Sequence, residues 1–486
     1  MKKIKTDIKT PLDWRRTKII ATLGPSSGSY FVIRKLIESN VNVFRLNMSH
    51  GTHDEHFQLV SNIKKIVADT GKQVAILVDL CGPKIRVGKF KSGKIILTDN
   101  KKVVIRCKEF EGDDKLISSQ YRNLYKDVKK GHRIFLDDGK IELTVTSVSG
   151  IDIECKVKYG GVLKDKKGMN LPDTEISTTS YTEKDRHDTD FAIRINADFI
   201  AMSFVKNNKD IRKIKKYMEN KQVSIPVIAK IERKEAISNI DEIIQESYGI
   251  MIARGDLGIE LPAQKVPIIQ KDLVSAARRN NCPVIVATQM LESMIASPRP
   301  TRAEVSDVAN AVLSSADAVM LSAETASGEY PVKSVEMMDD ILREIENYQI
   351  NKNCFVENDA VEQGFGITTE REAVSYAVRS LTQNLDLKAI IVPTRTGITA
   401  AIIASDRPIS PLIAVCTDIM VCKRLMLHWG VISFNLKEDE VSNWKELSRD
   451  ISNKCLKTKK GNSILLVSGF NDDPDLNEPV VKLVRL

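Results

Sequence analysis

Residues 226–262 read PVIAKIERKEAISNIDEIIQESYGIMIARGDLGIELP, and two apolar runs in this stretch end in charge: Lys230-Ile231-Glu232 after the first, Arg254-Gly255-Asp256 after the second. Side chains two apart on a strand share a face, so an extended first run points the Lys230 ammonium and the Glu232 carboxylate the same way. If a neighbouring parallel strand brings Asp256 to the same level, two carboxylates can hold a hard divalent cation while Lys230 faces an anionic substrate. Gly255 and Gly258 flank Asp256 and allow backbone N–H groups at a helix start to approach an anion closely. A lone K-x-E or R-G-D is ordinarily a surface salt bridge, so the rest of the chain must supply the context.

The same alternation of apolar run and helical interval extends on both sides. It includes TKIIATLG from Thr17, NVFRLNMS from Asn42, QVAILVDLC ending at Cys81, DFIAMSF at 198–204, PVIVATQ at 283–289 and ADAVMLSAE at 316–324. With the two runs of the opening stretch this makes eight strands. Continuous apolar strands joined by helical crossovers predict a parallel sheet covered on both faces, and eight such units fit a (β/α)8 TIM barrel. In that fold the chemistry sits at the C-terminal strand ends. Polar residues cluster there: Arg45, Asn47, Ser49, Asp79, Ser203, Lys230, Glu232, Asp256, Thr288 and Glu324.

Between residues 85 and 179 the alternation changes to short period-two runs such as KVVIRC and DIECKVKYGGV, separated by Gly and Asp turns. This predicts a small inserted β-barrel that overhangs the active-site face as a lid. After Tyr348 a polar stretch, NYQINKNCFVENDAVEQGFG, reads as a linker. The runs AIIVP, LIAVC, VISF, SILLVS and VKLVRL then predict an open α/β sheet. The expected division is 1–84 with 180–350 for the barrel, 85–179 for the insertion and 351–486 for a C-terminal regulatory and oligomerisation domain.

Of the 486 residues, 42% are hydrophobic and 28% charged, the balance of a soluble globular chain. No apolar run reaches the ~18–20 residues of a membrane span, and Met1–Arg16 lacks a signal-peptide core, so the expected location is the cytoplasm, away from membranes. The net charge of +9 comes from scattered lysines with only 5% aromatics. That pattern argues against nucleic acid and for small anionic substrates. Eight cysteines without a C-x-x-C pair support neither a disulfide framework nor a zinc site.

The motifs TKIIATLGPSS (17–27), VFRLNMSHGTH (43–53), VIVATQMLESMIASPRPTRAEVSDVANAV (284–312) and MLSAETASGEYP (320–331), together with the Lys230 and Asp256 runs, resemble the pyruvate kinase family over nearly the whole chain. The resemblance implies transfer of the phosphoryl group of phosphoenolpyruvate to ADP, giving pyruvate and ATP in the last step of glycolysis. It implies Lys230 as stabiliser of the transferring phosphoryl, Arg45 as its grip, and Glu232 and Asp256 as ligands of Mg2+ or Mn2+. The backbone of Gly255 and Asp256 would receive the carboxylate, with Thr288 near the enol carbon. For the nucleotide it implies Pro25, His50, Arg86, Asp137 and Lys167.

Asn47, Ser49, Asp79 and Leu80 match the pocket of an activating K+, which K+-dependent members complete with the glutamate of D-T-K-G-P-E. Here the run is Asp79-Leu80-Cys81-Gly82-Pro83-Lys84. The expectation is that the Lys84 ammonium replaces the ion, so K+ is not required. Glu55 stands where many relatives carry a tyrosine near the base. In the C-terminal domain, Thr394, Thr396, Gly397 and Thr399 resemble the loop that holds a phosphorylated effector. The late loop GFNDDPDLNEP, with Asp472, Asp473 and Asp475, would repel a bisphosphate, so insensitivity to fructose 1,6-bisphosphate is expected. Arg302 matches a residue that reaches a neighbouring subunit in the family's homotetramers. The competing reading is a metal-dependent barrel lyase or aldolase acting on a pyruvate enolate. Arg86 and the lysines of the insertion favour a second, nucleotide substrate instead.

Overall fold

The computed structural model describes residues 14–352, 369–436, 451, 459, 461–470 and 477–486. Eight parallel strands close into a barrel: β1 (Lys18–Thr22), β2 (Val43–Asn47), β3 (Ala75–Asp79), then, after the insertion, β12 (Phe199–Met202), β13 (Val227–Ile231), β14 (Gly249–Ala253), β15 (Val284–Ala287) and β16 (Ala318–Leu321). Neighbours follow chain order, and β1 pairs with both β2 and β16. One set of strand residues, including Ile20, Leu77, Phe199, Ile228 and Met251, fills the barrel interior. The alternate set, including Ile19, Val78, Ile200 and Ile250, packs against the helices. Burial on both faces is why these strands read as unbroken apolar runs. Thr52 with Glu55, Thr182 with Asp185 and Thr301 with Glu304 form capping boxes that start three of the barrel helices.

The insertion leaves after β3 and holds β4 (Lys94–Leu97), β5 (Lys102–Arg106), β6 (Leu116–Ser118), β7 (Arg133–Leu136), β8 (Ile141–Ser149), β9 (Asp152–Tyr159), β10 (Gly161–Lys164) and β11 (Met169–Asn170). Six of them form one sheet in the order β11-β7-β8-β9-β5-β6, and β4 pairs with β10. Single-residue bridges from Arg86 to Gly168 and from Val87 to Ser119 connect the edges of that sheet through the incoming chain. At the exit from the barrel, Gly82 has a φ of 63°, and a Cβ there would lie 2.8 Å from the Phe204 ring, so glycine is required.

The C-terminal sheet has the order β19-β18-β17-β20-β21, from β17 (Leu387–Pro393), β18 (Leu412–Cys416), β19 (Val431–Asn435), β20 (Ser463–Ser468) and β21 (Val480–Arg485), with only β21 antiparallel. It docks at the N-terminal ends of the barrel strands. There Lys18 Nζ donates to the Val431 carbonyl (2.7 Å) and Arg407 pairs with Asp317 (2.9 Å). The strand ends that carry the candidate chemistry face the other way. Most of the linker read at 347–366 lies outside the described residues. Among the described residues no helix is long and apolar enough to cross a membrane.

Candidate active site

Asp79, the last residue of β3, is 1% exposed and lies between two cations. Arg45 Nε donates to its Oδ2 at 2.6 Å, and Lys230 Nζ forms an ion pair with its Oδ1 at 3.2 Å. Burial pushes this carboxyl up, but Lys230 and Arg45 outweigh it and hold it below its ordinary value. Lys230 also pairs with Glu232 Oε1 at 2.8 Å and donates to Ser203 Oγ at 2.7 Å. Burial would depress its ammonium, yet Asp79 and Glu232 hold it above the usual lysine range. Arg45 is anchored a second time, on Thr22 Oγ1 at 3.0 Å. The end of the barrel therefore presents two fixed, charged donors for anionic oxygen.

Glu232 Oε2 accepts from the Phe204 backbone N–H at 2.8 Å. Asp256 starts from the next strand, in the helix Arg254–Glu260. Burial, then the Glu232 charge, pushes its carboxyl up to about 6 against the pull of Lys230 and Lys84. Glu232 and Asp256 offer hard carboxylate oxygens that fit a divalent cation such as Mg2+, with substrate and water completing the shell. Among the described residues no group of three or more His, Cys, Asp or Glu is placed around one ion.

Thr288 adopts a φ of 69° and Gln289 one of 54°, left-handed values that strain a β-branched residue most. The strain aims the Thr288 hydroxyl: Oγ1 donates to the Ala287 carbonyl at 2.6 Å and accepts the Gly255 N–H at 2.8 Å. The same turn is held from outside by Arg254, which donates to the Thr288 carbonyl (2.7 Å) and pairs with Asp307 (2.6 Å). The Gly255 N–H expected at a substrate carboxylate is thus engaged by Thr288.

A cleft of about 300 Å³ between barrel and insertion is lined by His50, Lys84, Arg86, Lys167, Asp256 and Glu260, among others. It brings three of the nucleotide candidates together with one metal candidate. Burial, with Lys84 and Arg86 nearby, lowers the His50 pKa. Asp137 has a φ of 50° in the turn between β7 and β8 and pairs with Lys167 at 2.7 Å. Pro25 is exposed on the loop after β1 and is not among the residues lining this cleft. Lys84 Nζ donates to Ser49 Oγ at 2.9 Å. Arg302 is exposed at the start of the helix Arg302–Leu313. In the C-terminal domain the Gly397 N–H donates to Thr394 Oγ1 at 2.9 Å, Thr396 is exposed and Thr399 is buried. Asp472, Asp473 and Asp475 lie outside the described residues.

Several participants escaped the reading of the sequence as site residues. Thr22, Arg233, Arg254 and Glu260 each hold a site element, and Ser203, read only as a polar strand end, receives the Lys230 ammonium. The signal for Ser203 was its place at a strand end; the others are identified by partners distant in sequence.

Comparison with known proteins identifies the family. Residues 14–335 match the model of the pyruvate kinase barrel domain, and residues 372–474 that of the pyruvate kinase alpha/beta domain. The chain belongs to the pyruvate kinase family. It is 44% identical over 420 residues to a pyruvate kinase of Geobacillus stearothermophilus, covering 86% of this chain and 71% of that one. Identity is also 44% to pyruvate kinase 2 of a Synechocystis strain, covering 86% and 70%. A pyruvate kinase crystal structure from Cryptosporidium parvum superposes with a TM-score of 0.87 at 34% identity, over 98% of this chain and 97% of that one. Pyruvate kinases are kinases that use phosphoenolpyruvate and ADP, both anionic.

Proposed function

We infer that the chain transfers the phosphoryl group of phosphoenolpyruvate to ADP, the reaction of its family. The observation that carries this is the convergence of Arg45 and Lys230 on Asp79 beside the Glu232–Asp256 pair. Phosphoryl transfer is chiefly positioning and neutralisation of charge on oxygen. Lys230 and Arg45 would hold the phosphoryl oxygens while the bond between the enol oxygen and phosphorus breaks, its electron pair staying on the enol oxygen, and a β-phosphate oxygen of ADP bonds to phosphorus. The enolate left behind takes a proton on carbon, next to the Thr288 hydroxyl. Glu232 and Asp256 would hold Mg2+ or Mn2+, which when bound supplies further positive charge at those oxygens. The backbone at Gly255 and Asp256 would receive the pyruvate carboxylate, the Gly255 N–H exchanging Thr288 Oγ1 for it. Pro25, His50, Arg86, Asp137 and Lys167 would contact the nucleotide.

The reaction needs no K+ in this reading, because Lys84 supplies a fixed cation in the corner of Asn47, Ser49, Asp79 and Leu80. The Thr394–Thr399 loop is the site for a phosphorylated effector, Arg302 a contact in a homotetramer, and the cytoplasm the place of work. The insertion at 85–179 and the domain from 351 are separate units in this reading. The test is pyruvate formation from phosphoenolpyruvate, with and without ADP and Mg2+. Dependence on both is expected, and pyruvate released without ADP overturns the reading.

A further inference from the structure

The chain returns from the insertion to the barrel under three basic side chains. Lys234 Nζ donates to the Pro172 carbonyl (2.8 Å), Arg233 Nη2 to that of Thr174 (3.1 Å), and Lys206 Nζ to that of Ile176 (3.2 Å). The central one is built into the site. Arg233 follows Glu232 directly and is 3% exposed. Its guanidinium also reaches Glu260 Oε1 through Nη1 (3.0 Å) and both oxygens of Glu235 through Nε and Nη2 (3.3 and 3.1 Å). Glu260 ends the helix that carries Asp256, and its Oε2 is buried without a hydrogen-bond partner. Arg233 and Glu260 both line the cleft.

One buried fork therefore joins three elements: the end of β13 with Glu232, the helix with Asp256, and the return linker of the insertion that carries Arg86 and Lys167. We propose that Arg233 is a positioning residue for phosphoryl transfer, fixing the inserted domain against the two metal-binding elements so that nucleotide and metal sites keep one spacing. This rests on the phosphotransferase reading above. A lysine cannot substitute, because a point charge on a flexible stem does not span three acceptors in a plane.

The deciding variant is Arg233→Gln/Glu260→Gln, which breaks the fork without stranding the buried Glu260 carboxylate and leaves the more exposed Glu235 open to solvent. A charge-assisted hydrogen bond contributes enough that amide exchange across 172–178 should quicken roughly tenfold and the KM for ADP should rise about as much. The KM for phosphoenolpyruvate should move less than about twofold, since Arg45 and Lys230 are untouched. Arg233→Lys should resemble the double variant in both readouts. Unchanged exchange across 172–178 in these variants overturns the proposal, as does an equal rise in both KM values. Exchange is read without substrate, so this failure is distinct from a failure of the parent enzyme to require ADP.

Discussion

Lys84 Nζ, on an exposed side chain, donates to Ser49 Oγ at 2.9 Å, while the other oxygens of the expected K+ pocket accept other donors. Asn47 Oδ1 accepts the Ser49 N–H, Asp79 Oδ2 accepts Arg45, and the Leu80 carbonyl accepts Ser203. In the reading proposed above, Lys84 stands in for the monovalent cation. Activity is therefore expected to persist in tetramethylammonium buffer without K+. Lys84→Glu reverses a fixed charge near Asp256 and should lower kcat at least about tenfold, with recovery on adding K+. A parent enzyme that stops when K+ is withdrawn contradicts this.

Asp79 is the shared counter-ion of Arg45 and Lys230. Asp79→Asn leaves the buried Arg45 without its carboxylate and Lys230 with Glu232 alone, and should cost about 3–5 kcal/mol in urea unfolding at neutral pH. Because its carboxyl is held below its ordinary value, its contribution is present at neutral pH and is lost as pH falls through that depressed value. The difference between parent and variant should thus shrink in acid. The variant's kcat should fall at least about tenfold, since the two donors lose their aim. Equal stabilities at pH 7 would show that the pairs contribute nothing net.

The barrel was legible because strands buried on both faces are apolar on both, save near their ends, and the insertion because strands such as β9, DIECKVKY, alternate buried with more exposed residues. The charged ends of β2, β3 and β13 were legible for the same reason, as breaks in apolar runs. Partnership across the sequence was not. Arg233 reads as part of a K-x-E-R-K surface run until Thr174, 59 residues away, appears beside it. Arg407 reads as a loop residue until it meets Asp317, 90 residues away, at the base of the barrel. Side-chain networks depend on loop paths that local periodicity does not encode.

That base also holds His428, whose Nε2 lies 2.9 Å from the Tyr248 hydroxyl. Burial lowers its pKa to about 4, with Arg407 and Lys18 adding to the effect and Asp317 opposing it. The neutral ring favours the folded state fully above the ordinary value near 6.5, and the advantage is lost as pH falls from there through about 4. His428→Gln keeps a hydrogen-bonding side chain for Tyr248 and removes the titration. Between pH 7 and 4.5 the variant should lose about 2 kcal/mol less stability than the parent, measured by denaturant unfolding at each pH. Parallel losses would place the acid sensitivity elsewhere.

Thr288 separates stability from chemistry. Its φ of 69° is strained for a β-branched residue, and the strain places Oγ1 against Gly255 N. A glycine adopts this φ freely, so Thr288→Gly should unfold no more than about 1 kcal/mol earlier than the parent, relief of strain offsetting the lost contacts. Its kcat should nevertheless fall by about tenfold or more, because the hydroxyl beside the enolate is gone and the Gly255 N–H loses its acceptor. Thr288→Ser retains the hydroxyl and should recover most of the rate. If Thr288→Gly instead retains the parent kcat, the hydroxyl takes no part in the proton step. The strained turn would then serve only to present its carbonyl to Arg254, a contact that any residue at this position could make.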